Sequence, residues 1–168
     1  MGLDIKQVPD YYRTYVRFIK DESVVDALQH SAKDFNYLLN TFSNEKAEHR
    51  YAEGKWSVKD LVQHVIDAER VFAYRALRFA RNDSTQLEGF EQDDYAAHAD
   101  SDSRDIKDLM SEFTSTRYST ISFFSSLSDE QLNRKGIASD VEFSVEALGY
   151  IISGHLMHHL EVIREKYI

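Results

Sequence analysis

The chain has 168 residues, 42% of them hydrophobic, with ten Phe, ten Tyr and a formal net charge of −9. That length fits one domain spanning the whole chain, and the apolar content excludes a disordered tail. No cysteine is present, which excludes disulfides, thiolate metal sites and a cysteine nucleophile supplied by this chain.

A single proline and six glycines leave few helix breakers, so long helices are expected. Nucleic-acid binding relies on Lys and Arg neutralising phosphates, and an acidic chain without a basic block predicts no nucleic-acid partner. No window approaches the roughly 20 apolar residues of a membrane span, and residues 1–10 lack a signal-peptide pattern. The expectation is a soluble, cytoplasmic protein that does not engage membranes.

In chain order, the aromatic stretch 11–19 reads as a small helix. The first long helix covers about 22–42, with Val24, Leu28, Ser31, Phe35, Leu38 and Phe42 on one stripe. The second runs from Ser57, an N-cap, to about Arg81, with Asp60 suited to its first turn. Leu61, His64, Ala68, Val71 and Arg75 form its stripe, while Arg70, Arg75, Arg78 and Arg81 read as a mainly solvated arginine side. Residues 85–102 are acidic and aperiodic, and read as a surface loop of a length often used for function.

A third helix spans about 103–127, and Ser128 to Gln131 resembles a capping box for one extra turn. Residues 133–143 read as a connector containing Gly136. The fourth helix runs from Ser144, again an N-cap, to about Tyr167. Four amphipathic helices of this length predict an all-α fold, a four-helix bundle.

The chemistry concentrates in Gly154-His-Leu-Met-His-His159. His155 and His159 are an i, i+4 pair, so they stand one above the other on a helix face. They fall on the apolar stripe between Ile152 and Val162, and therefore point into the bundle. Two imidazoles so placed fit one metal ion, or else a pair of core histidines bonded to tyrosine or carboxylate partners. His64, on the stripe of the second helix, completes a neutral three-nitrogen set that leaves a coordination position open. Nitrogen ligands suit Zn, Ni, Fe and Cu, so the ligand list does not choose among them. The expectation is a divalent ion, Zn or Ni first, with Fe or Mn as alternatives.

Two familiar motifs are absent. Leu156 stands where the zincin His-Glu-x-x-His needs its glutamate, and no Glu-x-x-His of the carboxylate di-iron type occurs. His158 lies at the stripe's flank and reads as a helix-interface residue. His30, His49 and His98 read as surface histidines, and Asp67 and Glu69 as solvated carboxylates, one of which could orient an imidazole N–H.

These residues resemble the DinB/YfiT-like superfamily. Lys55-Trp56-Ser57-Val58 leading to His64, then Glu69-Arg70-Val71-Phe72, is similar to that family's second helix. Gly154-His155 with His158-His159 is similar to its last, and order and spacing agree from about Asp10 to Tyr167. The resemblance implies the family's four-helix bundle and a metal held by His64, His155 and His159. It implies either a metal-dependent hydrolase or a transferase acting on a low-molecular-weight thiol such as bacillithiol or mycothiol. Homodimers are common in the family, and a small-molecule substrate is expected. A non-catalytic, stress-linked metal-binding bundle is the alternative.

Overall fold

The computed structural model describes residue 5, residues 8–19 and residues 21–168. The helices are α1 (Arg13–Val16), α2 (Val24–Leu39), α3 (Asn44–Glu48), α4 (Val58–Ala80), α5 (Gln92–His98), α6 (Ile106–Ser125), α7 (Asp129–Leu132) and α8 (Val145–Lys166). Strands β1 (Lys135–Ala138) and β2 (Val141–Ser144) form a hairpin before α8.

Serine sets most of the starts. Ser23, Ser43, Ser57, Ser128 and Ser144 each accept a hydrogen bond from the backbone N–H three residues on, satisfying a donor the helix leaves orphaned. At Ser57 and Ser128 the reciprocal bond is also made, by Asp60 and Gln131. Asp60 does more than cap: it also takes hydrogen bonds from Ser101 and Arg50, and Arg50 reaches Asp102 at 2.9 Å. Lys59, 1% exposed, finds Glu48 at 2.8 Å. The start of α4 is thereby tied to the segments on both sides of it.

The long helices α2, α4, α6 and α8 form the bundle. Both α8 and α6 pack against α2 and α4, so the consecutive pairs α2/α4 and α6/α8 stand on diagonals. Core membership gives the directions. One cluster takes the early parts of α2 and α8 (Val24, Leu28, Leu148, Ile152) and the late parts of α4 and α6 (Phe72, Phe79, Phe124). The other takes Phe35 and Leu39, Leu156 and Ile163, Val58 and Val62, and Ile106 and Phe113. Helices α2 and α8 therefore run one way and α4 and α6 the other.

Between the two apolar clusters lies a polar layer. Arg117 of α6 and Glu69 of α4, each 2% exposed, pair through three N–H···O contacts of 2.9, 3.1 and 2.9 Å. The same guanidinium donates to the Leu28 carbonyl (2.8 Å) and to Ser31 Oγ (2.9 Å) on α2. A buried charge pair is tolerable only when its remaining donors are satisfied, and here one residue stitches three helices. Glu69 is thus a buried structural anion, not the solvated carboxylate its position suggested.

Two segments differ from their sequence reading. The stretch 85–102 contains helix α5 and a 3-10 turn at Ser101–Ser103. Helix α5 buries no residue, so it leaves no apolar period to detect, and Asp93 and Asp94 favour its first turn. The connector 133–143 is a β-hairpin whose two-residue turn, Ser139-Asp140, has φ of 51° and 60°. Both values are positive, as a type I′ hairpin turn requires. Gly136 is needed because a Cβ there would lie 2.1 Å from the Phe79 ring, so the hairpin seats directly on the end of α4.

Arg75 is also buried, 2% exposed, contrary to the solvated arginine side expected for α4. It donates to the Glu88 carbonyl (3.1 Å) and to Ser139 Oγ (2.9 Å). This side chain links α4 to both the segment leading to α5 and the hairpin tip, which also bond to each other through Leu87.

Candidate metal centre

His64 lies mid-way along α4, and His155 and His159 lie on the neighbouring antiparallel helix α8. Their Nε2 atoms converge. His64 Nε2 is 3.1 Å from His155 Nε2, and His159 Nε2 is 3.1 Å from His155 Nε2. One ligand atom from each residue falls within 4.8 Å of the other two. Nitrogens about 2.0–2.1 Å from a tetrahedral zinc lie roughly 3.4 Å apart, close to the two 3.1 Å separations here, so the donor set fits one divalent ion.

Hydrogen bonding alone serves the cluster poorly. A neutral imidazole Nε2 carries either one proton or one in-plane lone pair, yet His155 Nε2 faces two partners. The Nδ1 of His159 is buried with no partner among the described residues. The polar contacts of that ring therefore lie on its Nε2 side, towards the other two histidines.

Burial keeps the set neutral. It lowers the His64 pKa to about 4, an effect only partly opposed by the charge of Asp93. It drives His155 and His159 well below the ordinary imidazole range, with the neighbouring histidines adding to the effect. Unprotonated nitrogens are the form a metal requires.

The surroundings fix the rings. Trp56 lies against His64, with centroids 4.9 Å apart, and Tyr15 meets His155 edge-on at 5.4 Å. The Tyr167 hydroxyl donates to the Trp56 carbonyl, pinning the end of α8 beside the start of α4. Gly154 allows the N-terminal segment to lie on α8, because a Cβ there would sit 2.6 Å from the Tyr15 carbonyl oxygen. His158 packs beside Tyr15, with centroids 5.3 Å apart, in the interface role expected of it. Asp67 accepts a hydrogen bond from Gln63 (3.1 Å), and Glu69 is engaged by Arg117. His30, His49 and His98 are exposed.

A cavity of about 270 Å³ opens on His64 and His155. Ala68 and Phe72 continue its α4 wall, Tyr11, Tyr12 and Tyr15 form a second wall, and Phe90 to Asp93 a third. The sequence marked the stretch 85–102 by its length as one often used for function, but the tyrosine segment was not revealed. Neither carries a motif, and both reach the histidines only through folding.

The fold and this cluster define a class: a four-helix bundle with a three-histidine candidate centre between two neighbouring helices. The sequence profile of the DinB superfamily matches residues 27–163, and the chain belongs to that superfamily. It is 25% identical over 128 residues to an Oceanobacillus iheyensis protein named "Putative metal-dependent hydrolase OB0413", covering 75% of this chain and 73% of that one. Among solved structures it is similar to YfiT from Bacillus subtilis, described as "a probable metal-dependent hydrolase with an unusual four-helix bundle topology". That likeness has a TM-score of 0.75 at 16% identity, over 84% of this chain and 82% of the other. A second likeness is to the mycothiol-dependent maleylpyruvate isomerase, with a TM-score of 0.68 at 11% identity, over 82% of this chain and 58% of that one.

Proposed function

We propose that the protein is a metal-dependent enzyme in which His64, His155 and His159 hold one divalent ion facing a small-molecule cavity. The observation that carries this reading is the convergence of three Nε2 atoms on neutral imidazoles, two of which, His64 and His155, line that cavity. Imidazole nitrogens suit Zn and Ni, among other ions, and we take these two first, with Fe or Mn as alternatives. The ion would supply Lewis acidity at an open position, lowering the pKa of a water or of a thiol cosubstrate.

The chain's own residues prepare the place for that chemistry. Burial favours the unprotonated form of the three imidazoles, Trp56 packs on His64 and Tyr15 on His155, and Phe72 with the tyrosine segment lines the cavity. The names of the Oceanobacillus protein and of YfiT favour water as the activated nucleophile, hence a hydrolase. A thiol transferase is supported by the mycothiol dependence of the isomerase and by the lack of any cysteine here, since the sulfur would then arrive with a cosubstrate. We place the protein in the cytoplasm as a homodimer, a state that sedimentation would test.

The deciding experiment loads Co(II) and follows its visible spectrum while water-activated esters or a thiol with an electrophile are supplied. Turnover of either substrate class that His64→Ala abolishes supports the enzyme. A loaded site with no turnover and no spectral response to thiols would leave a non-catalytic metal-binding bundle.

A further inference from the structure

The cavity beside the histidines has a composition that the centre itself does not require. Five aromatic rings border it: Tyr11, Tyr12, Tyr15, Phe72 and Phe90. Tyr11 stands nearly perpendicular to Tyr12 and to Tyr15, at centroid separations of 5.0 and 6.1 Å. Tyr12 is perpendicular to Phe72 at 5.9 Å. Several aromatic rings bordering one space, though Tyr12 and Tyr15 are only tilted at 53°, offer electron-rich surfaces that attract a cation.

The charges on the same walls have one sign. Glu91 and Asp93 line the cavity, and no Lys or Arg does so among the described residues. Neither carboxylate is in an ion pair among those residues, although most acidic side chains near α4 are: Asp60 with Arg50, Glu69 with Arg117, Glu112 with Arg70 and Arg104. Arg75 lies 5.7 Å from the Phe72 centroid, donates to the Glu88 carbonyl and to Ser139 Oγ, and also meets the Tyr12 hydroxyl, which leaves Tyr11, Tyr15 and Phe90 as the rings open to a second cation. Arg17 acts on His158 and stacks on Phe18 at 4.7 Å.

We infer that this cavity selects a small substrate bearing a cationic group, an amine or quaternary ammonium. The cation rests among the tyrosines and Phe90 beside Glu91 and Asp93, and the uncharged reacting part points to the histidines. A divalent ion there adds positive charge at the imidazole wall, so the cationic group belongs at the opposite, acidic wall. A volume of about 270 Å³ accommodates a molecule of this kind. The inference deepens the proposed function at the same site and rests on it for the chemistry, but not for the binding.

The test uses choline and its neutral isostere 3,3-dimethyl-1-butanol, which share shape and differ in charge. Calorimetric titration of the full-length protein, metal-free and loaded, is expected to show choline binding about tenfold more tightly than the isostere. The exposed double variant Glu91→Gln, Asp93→Asn should erase most of that preference, and Tyr11→Leu should reduce choline affinity while sparing the fold. Equal or tighter binding of the isostere, or no heat from choline at millimolar concentrations, overturns the inference. Elemental analysis separates the two readings. Selective choline binding by a protein that takes up no metal upholds the cation pocket and removes the metal centre. Full metal loading without choline preference does the reverse.

Discussion

The Nε2 atoms of His64 and His155 lie 3.1 Å apart although 91 positions separate them in the chain. Their approach depends on α4 and α8 being antiparallel neighbours, with each histidine at the level where the core changes from one apolar cluster to the other. His159, one turn along α8, completes the set from the same face.

Metal content follows directly. Tag-free protein should carry about one divalent ion per chain by elemental analysis, and the triple variant His64→Ala, His155→Ala, His159→Ala should carry none. Chelation should lower the Tm of the wild type, because an ion at a hundred times its Kd stabilises the folded state by about 2.7 kcal/mol. An unchanged Tm on chelation in protein shown to hold metal would mean that the ion sits elsewhere.

Acid should weaken the metal-free protein in a defined window. The His64 pKa falls from 6.5 unfolded to about 4 folded, so below pH 6.5 the unfolded chain takes up the proton first. Stability is therefore fully present above pH 6.5 and declines as pH falls towards 4, by about 3 kcal/mol for this one group. His155 and His159, depressed further, act in the same direction. Urea titrations at several pH values should show this slope, and the triple alanine variant should flatten it.

The buried pair in the polar layer should be costly to break singly. Glu69→Ala leaves the Arg117 guanidinium buried and without its counter-ion, with an expected loss of about 3–5 kcal/mol in urea unfolding. Replacing both by Met and Leu should recover much of that loss, since two apolar side chains leave no charge to solvate. A double variant as unstable as the single one would point to Ser31 and the Leu28 carbonyl, the other partners of Arg117, as the dominant cost.

Gly154→Ala probes how the cavity wall is attached. The new Cβ would meet the Tyr15 carbonyl at 2.6 Å, a backbone atom with little room to yield. The tyrosine segment should lift from α8 while the bundle stays folded, read as faster amide exchange at residues 11–16 with metal stoichiometry retained. Protection as in the wild type would show that the helix shifts instead.

Sequence alone determined the four long helices, the serine caps Ser57 and Ser144 and the inward face of His155 and His159. These are local properties: caps act across three residues, and an apolar stripe repeats along one helix. His64 was legible for the same reason, since it lies on the stripe of its own helix. Tertiary structure decided the rest. Arg75 and Glu69 read as solvated charges because their partners, Ser139 and Arg117, are distant in the chain. The exposed helix α5 and the short hairpin bury too little to imprint a period. The cavity walls come from residues 11–15 and 90–93, which nothing local connects to the histidines. They become neighbours only because α4 and α8 pack antiparallel and Gly154 and Arg75 hold the two segments against them.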